Sequence, residues 1–193
     1  IYAGMCILDL SKLHMYEFHY DVIKKQYGDK AKLLFTDTDS LCYHIRTDDF
    51  YKEMQTEHYD LSDYPEDSDF RSTDNKKVLG KFKDECNGKA PSEFAGLRPK
   101  MYSLKIPNEK TKKTAKAVKD SAQKKITHED YVRCLTSEKR EDKQQRVKQS
   151  TIRPYKHVLY SIEQCRVGLC AYDNKRYLLK DGIESLSYGH HRI

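Results

Sequence analysis

Leu33-Leu34-Phe35-Thr36-Asp37-Thr38-Asp39-Ser40-Leu41 decides how the chain is read: two short apolar runs pinch a pair of aspartates at i and i+2. Apolar runs flanking Asp, Thr and Ser predict a β-hairpin, with strands over 31–36 and 40–46. In extended chain, alternation puts Asp37 and Asp39 on one face, their α-carbons roughly 6–7 Å apart at a rise of ~3.3 Å per residue. Two ionised carboxylates within ~4 Å repel by about 4 kcal/mol at an effective dielectric near ~20, so a proton or a cation must neutralise them. Oxygen-only ligands favour Mg²⁺ or Mn²⁺ over zinc. The same residues also suit a plain turn, because Asp, Thr and Ser hydrogen-bond local backbone. An EF-hand loop is excluded, since the glycine its sharp turn needs is missing. A nucleotide-sugar-binding Asp-x-Asp of a metal-dependent glycosyltransferase stays open on this segment alone.

The rest of the composition narrows the partners. The 193 residues suffice for one domain or two small ones, and 34% charged against 37% hydrophobic implies a large solvated or ligand-facing surface. The net charge of +6 hides an asymmetry: residues 1–75 hold 8 Lys/Arg against 16 Asp/Glu, whereas 76–193 hold 28 against 14. Basic residues interleaved with tyrosine over more than half of the chain favour a polyanion such as nucleic acid. The cysteines at 6, 42, 86, 134, 165 and 170 form no C-x-x-C pair, and they read as reduced thiols of an intracellular protein. No apolar run reaches ~18 residues and no signal peptide is visible, so no membrane partner is expected. The opening Ile1-Tyr2-Ala3-Gly4 falls in mid-pattern without a methionine, and a fragment is expected.

Periodicity supplies the elements. Leu10, Leu13, Tyr16, Tyr20, Ile23 and Tyr27 recur at steps of three or four, predicting an amphipathic core-packing helix from about residue 5 that stops at Gly28. On the hairpin, Leu41, Tyr43 and Ile45 share one face, and Cys42 and His44 the other. Asp49 caps a short helix, and residues 59–74 read as a long acidic surface loop that repels phosphates. Strands are predicted over 77–83 and 94–106 with a turn at Asn87-Gly88-Lys89-Ala90-Pro91, and on the second strand Lys100 and Tyr102 share a face. Thr127 caps a charged helix running to about residue 148, packed through Tyr131, Cys134 and Leu135. A hairpin beyond Ser150, a segment over 172–179 and a polar tail follow.

Phe35-Thr36-Asp37-Thr38-Asp39-Ser40 resembles the Tyr-x-Asp-Thr-Asp-Ser motif of family B DNA polymerases, with Phe35 in place of the tyrosine. The likeness is greatest to the protein-primed members of adenoviruses, linear plasmids and self-synthesising DNA transposons. Gly96-Leu97-Arg98-Pro99-Lys100-Met101-Tyr102 resembles that family's Lys-x-Tyr element. Thr114-Ala115-Lys116-Ala117-Val118-Lys119 resembles a later motif that usually carries glycine where Ala117 stands; glycine would permit positive φ beside a phosphate.

The resemblance implies an α+β fold. Residues 1–112 would form the C-terminal half of an antiparallel-sheet palm with its packing helix, and 113–193 a small helix-plus-hairpin thumb. It implies DNA-directed DNA polymerase activity using two Mg²⁺ or Mn²⁺ ions, with Asp39 as the principal bridging ligand and Asp37 as the secondary one. Lys100 and Tyr102 would hold the primer end, and Lys116, Lys119, Lys124, Lys125, Lys143, Arg146 and Lys148 would contact phosphates. The implied partners are primer-template DNA, dNTP, a terminal priming protein and the N-terminal part of the polymerase, with nuclear residence in a eukaryotic host. The family's other metal-binding aspartate and its triphosphate-binding lysine are not in these 193 residues. The chain alone is therefore expected to be inactive, and a remnant that only binds DNA is the alternative.

Overall fold

The structure, a computed structural model, describes residues 1–172, 176–180, 184–187 and 189–193. It divides into two compact units, Ile1–Ala90 and Pro91–Ile193, each with its own apolar core. Both combine helices with small antiparallel sheets, which is the expected class at that level. The expected functional division at 112/113 falls within the second unit. No helix among the described residues is long and apolar enough to cross a membrane.

In the first unit, α1 (Tyr2–Glu17) runs without a break into a π-helical stretch, Phe18–Lys24, and a last turn α2 (Lys25–Tyr27). Gly28 ends it in a backbone of φ 54° that suits glycine, as its position in the sequence predicts. The buried face agrees with the expected one only at its end: Ile23 and Tyr27 are buried, joined by Met15 and Phe18, while Leu10, Leu13, Tyr16 and Tyr20 are more than half exposed. Within Phe18–Lys24 the π-helical turns bring i and i+5 into line, so that Phe18 joins Ile23 in the core and Tyr20 is left out. Phe18 then packs 4.1 Å from the Phe82 ring and edge-on to Tyr59.

Strands β1 (Ala31–Asp37) and β2 (Ser40–Ile45) form the predicted hairpin. Helix α3 (Phe50–Glu53) carries the predicted Asp49 cap, whose side chain accepts from Tyr51 N–H at 3.1 Å. The acidic segment that follows is irregular, but it is not merely a surface loop, because Tyr59, Leu61 and Tyr64 are buried in the core. Asp60 is only 4% exposed and accepts backbone N–H groups of Ser62 and Lys77, both at 3.0 Å, with Lys83 Nζ 3.7 Å away. The strand predicted over 77–83 is a series of turns with one bridge, Tyr59 to Phe82; Gly80 at φ 82° interrupts it and Leu79 is 97% exposed.

In the second unit, β3 (Glu93–Arg98), β4 (Met101–Lys105) and β5 (Lys112–Ala115) make a sheet in that order. The single strand predicted over 94–106 is thus a hairpin, folded back at Pro99-Lys100. Pro99 has no N–H to give a ladder, and Lys100 is left-handed at φ 58°. A short helix α4 (Asp120–Gln123) precedes α5 (His128–Thr136), which has the predicted Thr127 cap as a capping box with Asp130. The predicted helix to residue 148 stops at Thr136, since Glu138-Lys139-Arg140-Glu141-Asp142-Lys143 offers no apolar stripe to pack. Arg146 and Lys148 therefore lie on a strand, β6 (Gln144–Tyr155), paired with β7 (Val158–Cys170). The hairpin foreseen beyond Ser150 starts six residues earlier.

The core of this unit joins Met101, Ile126, Tyr131, Cys134 and Leu169, each at most 1% exposed. Leu135, expected there, is 47% exposed. Tyr131 donates from Oη to Thr114 O at 3.0 Å, and burial pushes its phenol up to about 12. Strands β8 (Arg176–Leu178) and β9 (Ser185–Ser187) form a small terminal pair. The segment predicted over 172–179 and the polar tail lie partly outside the described residues.

Candidate functional site

The first candidate lies at the tip of the β1–β2 hairpin. Tyr43 opposes Leu33, but Cys42 opposes Phe35, so Leu34 is absorbed in a β-bulge. Leu41, Tyr43 and Ile45 pack on the core as the alternation predicts. Directly opposed residues share a face, so the bulge moves Phe35 and Asp37 to the face of Cys42 and Ser40, away from Leu33. Burial raises the Cys42 thiol to about 11, helped by Cys86 and Glu85.

The tip itself is not extended. Asp39 N–H donates to Asp37 O at 2.6 Å across Thr38, whose φ is 54°. This i→i+2 bond over a positive-φ residue is the strained form of γ-turn. For a β-branched residue that backbone costs on the order of 1–3 kcal/mol. The face-sharing argument for the aspartates, which needs extended chain between them, gives way here: the two acids flank a reversed link. Ser40 Oγ donates to Asp37 O at 3.3 Å and ties the turn down. Asp39 is exposed and Asp37 half-buried, so solvent reaches both.

Two carboxylates are a partial donor set for Mg²⁺, which usually keeps waters and substrate phosphates as its other ligands. Among the described residues no three His, Cys, Asp or Glu side chains gather around one point. The tip therefore fits a cation held jointly with other ligands, not a closed site.

Behind the hairpin, His19 in the π-helical stretch bonds through Nδ1 to Tyr43 Oη at 2.9 Å, with the rings stacked 5.7 Å apart. Burial raises the Tyr43 phenol well above its ordinary value. This clamp from helix to hairpin had no signal in the apolar pattern, because both side chains sit at the edge of the core.

The second candidate, in the second unit, is built by two adjoining turns. Lys116 N–H donates to Lys100 O at 3.1 Å, which brings these two predicted lysines together. Ala117, where the resembled motif has glycine, takes φ 69°. The left-handed backbone thought to require glycine is present with alanine. Lys119 stands just before α4, its N–H donating to Gln149 Oε1 at 2.9 Å, and Lys124 and Lys125 follow its end; the side chains of all three are exposed. Tyr102 opposes Gly96 on β3 and Thr114 on β5, on the sheet face away from buried Met101 and Ser103. Phe94 lies over Gly96, where a Cβ would come within 2.6 Å of the ring, and beside Tyr102 at 6.4 Å. Lys100 and Tyr102 do not share a strand face as predicted, since Lys100 is in the turn.

Lys143 is half-buried, Arg146 and Lys148 are exposed, and Lys148 pairs with Glu163 at 3.4 Å. One constellation escaped the sequence reading. Ser103 Oγ lies 2.9 Å from His128 Nδ1, and His128 Nε2 lies 3.3 Å from Glu93 Oε2 without hydrogen-bond alignment. Lys105, bonded to Glu93 at 2.8 Å, holds that carboxyl below its usual range. Ser103 is fully buried, so this arrangement ties α5 to the sheet and offers no nucleophile.

Comparison with known proteins yields no matching family model, no similar curated protein and no similar solved structure.

Proposed function

We propose that the chain forms the later palm and the thumb of a family B DNA polymerase of the protein-primed type, adding nucleotides to a primer 3′-hydroxyl. The observation that carries this reading is the tip of the hairpin. An Asp-Thr-Asp is held by a bulge and a left-handed threonine in an otherwise regular β-ladder, and such strain persists where a site needs it. The left-handed Ala117 in the second basic turn agrees with the resembled motif independently.

Asp39 and Asp37 would hold Mg²⁺ together with substrate phosphates. Bound there, the ions would supply charge neutralisation of the reacting phosphate and activation of the primer hydroxyl. In the first unit the turn sets the separation of the carboxylates; in the second, Lys100, Lys116 and Tyr102 would take a primer strand. Lys119, Lys124 and Lys125 add phosphate contacts whose loss would reduce the salt dependence of binding.

A polypeptide carrying the second aspartate and the triphosphate-binding lysine must complete the site. The state of α1 supports such a cover, because Tyr2, Met5, Ile7, Leu8, Leu10 and Leu13 are all more than half exposed. Apolar side chains exposed to this extent along one helix mark a surface that another polypeptide can cover. The alternative is a remnant that binds DNA without synthesis.

The test is primer extension. The chain alone with primer-template, dNTP and Mg²⁺ is expected to give no product, and co-expression with a family B polymerase fragment that supplies the other metal-binding aspartate and the triphosphate-binding lysine is expected to restore it. In the restored enzyme Asp39→Asn should lower the rate by about 10³-fold, the equivalent of several kcal/mol of charge stabilisation. Extension by the chain alone, or full activity of Asp39→Asn, would overturn the proposal. Duplex binding without restored synthesis would establish the remnant.

A further inference from the structure

The β6–β7 ribbon has two different halves. Near its base Gln149, Gly168, Leu169 and Cys170 are buried, and Gly168 is required because a Cβ there would come within 2.7 Å of Val147 Cγ1. From residue 152 to residue 163 every side chain is exposed. A two-stranded ribbon with no third layer is marginal in water, so this arm has an architecture that a ligand would complete.

Register places Arg153 opposite Tyr160, and Tyr155 opposite Val158, all on one face. The rings of Tyr155 and Tyr160, 63% and 47% exposed, lie 6.4 Å apart and inclined by 60°. Lys156 Nζ sits 5.5 Å from the Tyr155 ring centroid. Lys156 and His157 make the two-residue turn with φ of 48° and 63°, a conformation that favours Asn and Gly; two side chains able to carry charge stand at the tip instead. Further in on the same face, Thr151 Oγ1 and Gln164 Oε1 are buried without a hydrogen-bond partner. Between residues 144 and 170 the charged residues are Arg146, Lys148, Arg153, Lys156 and Arg166 against Glu163 alone.

The fitting partner carries flat apolar surfaces alternating with negative charges. A duplex supplies the charges but hides its base faces in the stack, whereas a single strand offers both. We infer that the outer face of this ribbon binds single-stranded DNA, with bases stacked on Tyr155 and Tyr160 and the backbone held by Arg153 and Lys156. The stacking surface stands on the ribbon alone, and only the choice of DNA over RNA rests on the polymerase reading.

The test is fluorescence anisotropy of the full chain with labelled oligothymidylate of about 20 nucleotides and with a duplex of the same length. The single strand should bind more tightly. Tyr155→Ala and Tyr160→Ala should each weaken it by about 5-fold to 100-fold, while Tyr155→Phe and Tyr160→Phe leave it unchanged. Arg153→Gln should reduce the slope of log K against log salt by roughly 0.7, and the tyrosine variants should leave that slope alone. Equal or tighter binding of the duplex, tighter binding of the matching oligouridylate, or indifference to both alanine variants would overturn the inference. Asp39→Asn should not change oligothymidylate binding, so loss of synthesis and loss of strand binding report on different claims.

Discussion

Thr38, Lys100 and Ala117 are left-handed residues with side chains, and each stands in a turn that carries a candidate binding group. At such positions the backbone strain is on the order of 1–2 kcal/mol, and glycine relieves it at some cost in unfolded-chain entropy. Ala117→Gly is therefore expected to stabilise the second unit by about 0.5–1 kcal/mol, a rise in Tm of about 2–6 °C by calorimetry. An unchanged or lower Tm would mean that the alanine methyl makes a compensating contact. The Asp-Thr-Asp stretch was legible because hairpin chemistry is local. Its geometry was not, since alternation presumes extended chain and neither the bulge at Leu34 nor the reversal at Thr38 leaves a mark in residue type. The Ser103–His128 contact spans 25 positions and could emerge only from the packing of α5 on β4.

Among the elements, those with capping signals were read well. Thr127 and Asp130 satisfy each other's backbone at the start of α5, and Thr127→Ala should destabilise the second unit by about 1 kcal/mol in urea titrations. A change under a few tenths would show that the cap is replaceable by solvent. Elements defined by pairing were read poorly. Residues 138–148 are as charged as an exposed helix, yet from Gln144 the chain joins β7, and that choice depends on a partner some twenty residues away. The break at Pro99 was visible in principle; the Lys-x-Tyr spacing drew the strand straight through it.

At the scale of the whole chain, the two halves of opposite charge survive in the two units: residues 1–90 hold 13 Lys/Arg against 18 Asp/Glu, and residues 91–193 hold 23 against 12. The boundary at Ala90/Pro91 brings Lys76, Lys77, Lys81, Lys83 and Lys89 into the acidic unit and softens the contrast. Lys83 lies 3.7 Å from Asp60, whose carboxyl is lowered from its ordinary value to about 2, chiefly by its hydrogen bond with Ser62 and then by the Lys77 N–H. A depressed carboxyl stabilises the fold fully above the ordinary value of 3.8 and ceases to do so as pH falls through about 2. The first unit should accordingly lose stability between about pH 4 and pH 2. Asp60→Asn should be less stable at neutral pH and flatter across that window, as followed by tyrosine fluorescence in urea. An identical pH profile for the variant would assign the acid sensitivity to other carboxylates.

The bulge at Leu34 gives the hairpin slack. One residue more than the ladder needs is stored in β1, so a shortening anywhere between Leu33 and Asp37 can be taken up by straightening the strand, with the Asp37–Ser40 pairing retained. A lengthening has no such reserve and would turn the carboxylate toward the core. Natural or engineered variation in this strand should therefore accept loss of a codon more readily than gain of one.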